Sequence, residues 1–258
     1  MTEESLAGLR VLVTRPAGQS DELVAAIVGS GGEAIRFPVI RISGRDPKIV
    51  AGEFASLPTP DIVIFVSSNA AEHGLPAVRD CGARLAAIGP ATSAAISATG
   101  ARVDIAPTKG FDSEQLLLHP ELQNVSGKTV LIVRGKSGRE LLGDTLRERG
   151  ADVSYLAVYD RERNTIPAAE VKSLDEAWRK GRIDCVTVMS VETLQNLLLL
   201  LPATSLEALR KTPLVAPGER VIQTVMELVP GIPAIEASGP RAADILNALK
   251  EVRHSGQN

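Results

Sequence analysis

The chain contains one stretch twice. Residues 10–42, RVLVTRPAGQSDELVAAIVGSGGEAIRFPVIRI, and 129–161, TVLIVRGKSGRELLGDTLRERGADVSYLAVYDR, slide onto each other without a gap. Val11 meets Val130, Arg15 meets Arg134 and Leu23 meets Leu142; further on, Gly31 meets Gly150 and Val39 meets Val158. Each copy reads as a buried strand, a turn, an amphipathic helix, a glycine break and a second extended run. A repeat this long governs the fold. The chain is two copies of one half.

The rest of the sequence doubles as well. DIVIFV at 61–66 is echoed by DCVTVM at 184–189, and each runs into a serine that opens a helix pattern: Ser67–Ser68–Asn69 in one case, Ser190–Val191–Glu192 in the other. Leu85–Thr92 parallels Pro213–Arg220; Val103–Leu118, read as a strand at Val103–Ala106 and a Leu-rich helix after Asp112, parallels Gly231–Leu249. Strands alternating with helices across short turns imply parallel sheets covered on both faces. The length of 258 residues suits two α/β domains of roughly 120 residues each.

Composition excludes several function classes. Net charge is −3 with no lysine or arginine block, which gives nucleic-acid binding little support. Cys81 and Cys185 lie far apart, no Cys-x-x-Cys occurs, and His73, His119 and His254 lack metal-ligand spacing. The first ten residues hold no apolar signal core, and no apolar run reaches the ~18–20 residues of a membrane span. A cytoplasmic protein with reduced thiols and no bound metal is the expectation.

The turns after the strands are rich in Ser, Thr, Gly and Asn, and open α/β sheets bind ligands at those carboxyl ends. No GxxxxGK[ST] and no GxGxxG follows a strand, so a nucleotide cofactor is not indicated. Asp61 and Asp184 precede their strands, where a phospho-acceptor would follow one. A nucleophile at Ser67, Ser68 or Ser190 wants a positioned base. His73 lies one turn past Ser68, but nothing comparable follows Ser190, so helix capping is the better reading. Three rims, after Val66, after Ile88 and near 111–113, present helix N-termini that suit a ligand with several anionic groups. Ordinary capping explains them equally well. Arg15, Arg134 and Arg139 follow the repeated first strands, as anion receivers or as partners in helix-side ion pairs. Tyr159 stands where the first copy has Ile40; packing and catalysis are equally good readings of it.

Taken together, VLVTRP, DIVIFVSSNA, AAIGPATSAAI, GFDSEQLL, VLIVRGKSGRELL and VYDR, in that order, resemble the uroporphyrinogen-III synthase family over about residues 9–249. The resemblance implies two similar parallel-sheet α/β lobes, flavodoxin-like halves, joined by a two-stranded linker. It also implies nesting: residues 1–37 and 164–258 in one lobe, 43–156 in the other, and linker strands at 38–42 and 157–163. Periodicity alone suggests a plain cut near residue 125.

Family chemistry cyclises hydroxymethylbilane to uroporphyrinogen III, with loss of water and inversion of ring D through a spiro intermediate, in tetrapyrrole (haem) biosynthesis. The resemblance implies a monomeric, cytoplasmic hydro-lyase needing no cofactor, in transient contact with hydroxymethylbilane synthase. It assigns Tyr159 as proton donor, matching the family's V-Y-x-R tyrosine. Substrate contacts would fall on Arg15, Ser67, Ser68, Asn69, Thr92, Ser113, Arg139 and Ser190. The chain departs from the family pattern after Ser190, where Val191 and Glu192 stand in place of small residues. The rival reading is a non-catalytic two-lobed binding protein for an anionic small molecule.

Overall fold

The computed structural model describes residues 5–110, 112–138 and 140–255; Phe111 and Arg139, named above, lie outside them. The chain opens with β1 (Arg10–Val13), a 3-10 turn (Ala17–Gln19), α1 (Asp21–Gly29), β2 (Glu33–Arg36) and β3 (Ile40–Gly44). The middle holds α2 (Pro47–Ala55), β4 (Ile62–Phe65), α3 (Ser68–Val78), β5 (Arg84–Ala87) and α4 (Pro90–Ser97). It continues with α5 (Ser113–Leu117), α6 (Pro120–Gln123), β6 (Thr129–Gly135), α7 (Leu141–Glu148) and β7 (Asp152–Arg163). The last part adds α8 (Ala168–Arg179), β8 (Cys185–Thr187), α9 (Val191–Leu200) and α10 (Ala203–Leu209). It ends with β9 (Leu214–Pro217), α11 (Glu219–Leu228), β10 (Ala234–Ala237) and α12 (Ala242–Ser255).

These strands form two five-stranded sheets, ordered β10-β9-β8-β1-β2 and β3-β7-β6-β4-β5. The first is parallel throughout, and so is the second from β7 to β5. Beside β7, the bonds Asn164 N–H to Val39 O and Arg45 N–H to Val158 O run in opposite order along the two chains, so β3 is antiparallel. The chain divides into two compact units, Met1–Arg41 with Glu162–Asn258, and Ile42–Arg161. A cut near residue 125 would separate β4 from its neighbour β6, which is why periodicity alone misleads here.

The first unit has the doubly-wound order 2-1-3-4-5; the second keeps its first four places, 2-1-3-4, has only the Ile105 bridge at the fifth, and adds β3 outside β7. In the first unit the strands enter as β1, β2, β8, β9, β10; in the second the chain starts at the third position, with β4 and β5, and returns to the first two with β6 and β7. The duplication is kept to the residue. Arg10 pairs with Glu33 and Val13 with Arg36, while Thr129 pairs with Asp152 and Ile132 with Tyr155. Gly31 and Gly150 sit at φ 83° and 84°, a left-handed turn that a side chain would strain. Asp184 accepts the Arg10 N–H and Asp61 the Thr129 N–H, both at 2.8 Å, so each carboxylate fixes where the repeated first strand begins.

Local sequence explains three departures from expectation. The strand expected at Val103–Ala106 is only a bridge, Ala86 with Ile105, because the Asp104 carboxylate takes the Leu85 N–H that a ladder would use. The extended run 34–42 splits into β2 and β3 around Pro38, which has no N–H to give. The second copy has Ala157 there, and β7 runs unbroken for 12 residues. The Leu-rich helix after Asp112 breaks in two at His119–Pro120.

The core follows from strands that are apolar on both faces. All four residues of β4 are buried; Val63 and Phe65 pack toward α3 and α4, and Ile62 and Ile64 toward α5 and α7. Each such side chain contributes about 1.5–3 kcal/mol at most. In the first unit Val11, Val13 and Cys185 meet Leu23 and Ile27 of α1 and Ile245 and Leu249 of α12.

Candidate active site

In a doubly-wound sheet the crevice lies beyond the strand ends where the order reverses. In the second unit that point falls between β4 and β6, and a cavity of about 230 Å³ opens there. Its walls include Val66 after β4, Ile88 after β5, Arg134 and Gly135 at the end of β6, Ser113 of α5, and Tyr159.

Tyr159 reaches the cavity through a bulge. Residues pair one for one along β6 and β7 up to Arg134 with Ala157, and then Gly135 pairs with Tyr159, leaving Val158 as the extra residue. A bulge turns the strand locally and re-aims the next side chain. Gly135 is needed for this: a Cβ there would stand 2.8 Å from the Tyr159 ring. The Tyr159 hydroxyl meets Ser67 Oγ at 3.3 Å, and Ser67 caps α3 by accepting the Ala70 N–H at 3.0 Å. With one lone pair used by the cap, Ser67 keeps its own O–H to donate. The His73 ring lies 6.3 Å from the Tyr159 ring.

The other tyrosine was not foreseen. Tyr155 is on β7 with its ring under the Arg134 guanidinium at 4.3 Å, and Arg147 is 5.2 Å from the same ring. Among the described residues its hydroxyl, buried against Gly143 of α7, has no partner at hydrogen-bond geometry. Burial first, then the nearby Glu140 carboxylate, push the Tyr155 pKa up. Glu140 pairs with Arg134 at 2.8 Å, and that contact holds its own pKa below the usual carboxylate range. The sequence signal for Tyr155 was available: it stands where the first copy has Arg36.

The sequence-derived residues distribute as follows. Tyr159 and Ser113 line the cavity, and Ser67 joins it through Tyr159. Ser68 and Asn69 lie in the first turn of α3, and Thr92, 3% exposed, in the first turn of α4, at the same end of the sheet but outside the cavity wall. Arg139 is outside the described residues. Arg15 and Ser190 belong to the first unit, where they follow β1 and β8 on either side of its own order reversal. Ser190 caps α9, accepting the Thr193 N–H at 3.2 Å. Arg15 donates to Pro240 O, its Nε is buried without a partner, and among the described residues no carboxylate pairs with it. Burial pushes the Arg15 guanidinium pKa down, against the pull of Glu22.

Known proteins bear on this arrangement. The family model described as uroporphyrinogen-III synthase HemD matches residues 21–247. The uroporphyrinogen-III synthase of Escherichia coli K12 is 36% identical over 203 residues, covering 75% of this chain and 80% of that protein. The chain belongs to the uroporphyrinogen-III synthase family. A more distant relative, the family's protein from Synechococcus elongatus, is 29% identical over 76% of either chain. Among solved structures, the Helicobacter pylori uroporphyrinogen-III synthetase superposes with a TM-score of 0.61 at 15% identity, covering 96% of this chain and 99% of that one. A mutant Thermus thermophilus synthase superposes at 0.58 and 17% identity, covering 96% and 99%. Both carry the fold, two parallel-dominated α/β sheets, across the family. No helix among the described residues is long and apolar enough to cross a membrane.

Proposed function

We propose that this chain converts hydroxymethylbilane into uroporphyrinogen III, as a cyclising hydro-lyase of tetrapyrrole biosynthesis. The observation that carries the reading is Tyr159: a hydroxyl aimed by a bulge at a cavity on the sheet's order reversal, with a serine O–H behind it. The substrate loses its terminal hydroxyl as water. Electrons from the pyrrole nitrogen expel it and leave an electrophilic azafulvene, and Tyr159 gives the departing oxygen its proton. Ser67 donates to the tyrosinate as it forms, which holds the negative charge until the proton returns. The substituted carbon of ring D then attacks the azafulvene, and the spiro product fragments and recloses with that ring inverted.

Most of the selectivity lies in holding the folded chain so that one attack wins over the other. Helix N-termini and scattered cations suit eight carboxylates better than one catalytic cluster does. Ser68, Asn69, Thr92, Ser113 and Arg139 are proposed carboxylate contacts in the second unit; Arg15 and Ser190 are proposed in the first. The half-buried Arg15, hydrogen-bonded among the described residues only to a carbonyl oxygen, is the clearest of these. The same reading makes the protein a cytoplasmic monomer that works without a cofactor. It meets hydroxymethylbilane synthase only transiently, and the strands at 38–42 and 157–163 link its lobes.

Product-isomer analysis tests the proposal. Hydroxymethylbilane generated in situ is incubated with the protein, oxidised, and its porphyrin isomers separated. Mostly type III product is expected. Tyr159→Phe should lower kcat by about 10²-fold while keeping type III dominant, since proton donation contributes rate and geometry contributes selectivity. Type I alone at the protein-free rate would overturn the proposal in favour of a binding protein.

A further inference from the structure

Arg134 is 13% exposed, Glu140 is 52% exposed, and they form an ion pair at the wall of the Tyr159 cavity. The buried end of this pair is therefore the cation, and the end that can swing into water is the carboxylate. Glu140 stands at the N-cap position of α7 without capping it, so no helix bond holds it in place. Arg134 by contrast is fixed. Its guanidinium carbon lies over the Tyr155 ring, 4.3 Å from the centroid, and Tyr155 is wedged where even a methyl group on Gly143 would come within 1.9 Å of the hydroxyl. That wedge leaves the hydroxyl buried with no partner at hydrogen-bond geometry among the described residues, a cost that packing for stability alone does not explain.

Resting on the proposed function, we infer that Arg134 is the cavity's receptor for one substrate carboxylate, with Glu140 as the placeholder that the substrate displaces. Burial of Arg134 and its seat over the Tyr155 ring restrict the guanidinium, so little side-chain freedom remains to be lost on binding. A partly exposed ion pair is weak enough to exchange, and a carboxylate entering the cavity meets a guanidinium already held in place. Glu140 keeps the charge of Arg134 matched while the cavity is empty. The acceptor is a planar carboxylate on a short alkyl arm, of the kind carried by each substituted pyrrole of an acetate- and propionate-bearing chain. Tyr155 is a positioning residue that acts through Arg134.

The test reads opposite signs from the two halves of one ion pair. Arg134→Gln should raise KM about 10-fold or more with little change in kcat, and Arg134→Lys, which keeps the charge without the fork, should recover only part of that. Glu140→Gln should lower KM about 2–5-fold, because it removes the competitor. A merely structural pair would give Glu140→Gln a lower Tm and an unchanged or raised KM, and that result would overturn the inference. Binding of uroporphyrin III, an unreactive octacarboxylate, followed by fluorescence, supplies a readout independent of turnover. If the wild type yields only type I product while Glu140→Gln still tightens uroporphyrin binding and Arg134→Gln weakens it, the proposed function falls and the carboxylate subsite stands. If the wild type yields type III and neither substitution moves KM or Kd, the subsite alone falls.

Discussion

Arg15 and Arg134 occupy the same place in the two copies of the repeat and have different partners. In the first copy Asp21, at the start of α1, is paired with Arg36 of β2 at 2.8 Å, and Arg15 is left with the Pro240 carbonyl. In the second copy the position of Arg36 is Tyr155, which has no charge to offer. Glu140, the counterpart of Asp21, therefore turns to Arg134. One exchange, Arg36 for Tyr155, redirects a carboxylate and supplies a ring for the guanidinium to lie on. The same copy has glycine at 143 where the first has Val24, and that gap admits the tyrosine. Backbone register is common to both copies; their strand-end chemistry has diverged.

The largest way to break this comparison is to write the first copy's residue into the second. Gly143→Val puts a side chain where the Tyr155 hydroxyl now lies, so the ring must leave its place under Arg134. Overpacking of this kind costs about 2–3 kcal/mol, or a fall in Tm of about 4–12 °C for a chain of this size. Calorimetry that finds an unchanged Tm would show that Tyr155 has room the structure does not give it.

A middle-sized effect separates Asp184 from Asp61, which do the same backbone job. Asp184 also takes two side-chain N–H bonds from Arg10, at 2.8 and 2.7 Å, whereas the residue opposite Asp61 is Thr129 and returns none. Asp184→Asn should cost about 1.5–3 kcal/mol and Asp61→Asn about 1, measured by urea unfolding. Burial alone pushes the Asp184 pKa up, and the side-chain and backbone bonds from Arg10 more than reverse this, so the folded value lies below the unfolded one. The stabilisation is then complete above the ordinary carboxylate range and is lost as pH falls through the folded value. Asp184→Asn should flatten the acid limb of the stability curve, and an unaltered limb would mean that the ion pair carries no net stability.

Much of this was legible in the sequence because the repeat is ungapped. Apolar runs at 11–13, 62–65 and 130–133 mark strands covered on both faces, and the glycines at 31 and 150 mark the same turn. Tyr159 was legible as the odd residue opposite Ile40, but the bulge that aims it was not, since bulges depend on how two strands are paired in three dimensions. The Arg134–Tyr155 stack escaped for a related reason. It joins a strand end to the interior of the next strand, and neither residue type announces the contact. The strand read at 103–106 failed on a single side-chain bond, Asp104 to the Leu85 N–H, which no periodicity encodes.

The smallest effect sharpens the comparison most, because it separates the Tyr155 ring from its hydroxyl. The hydroxyl is buried and unpartnered, so Tyr155→Phe removes a desolvated polar group while keeping the surface on which Arg134 lies. A buried hydroxyl without a partner destabilises by about 1 kcal/mol or more, and its removal should leave Tm equal or raise it by up to about 4 °C. Arg36, the residue at the same position in the first copy, works through polar contacts, an ion pair with Asp21 and a hydrogen bond to Ser20. Arg36→Leu should therefore lower stability slightly, within about 1 kcal/mol for an exposed pair. Opposite signs at matched positions are the expected outcome. Equal losses at both would mean that the Tyr155 hydroxyl has a partner in solution, and that the second copy has kept a polar anchor where the first has Arg36.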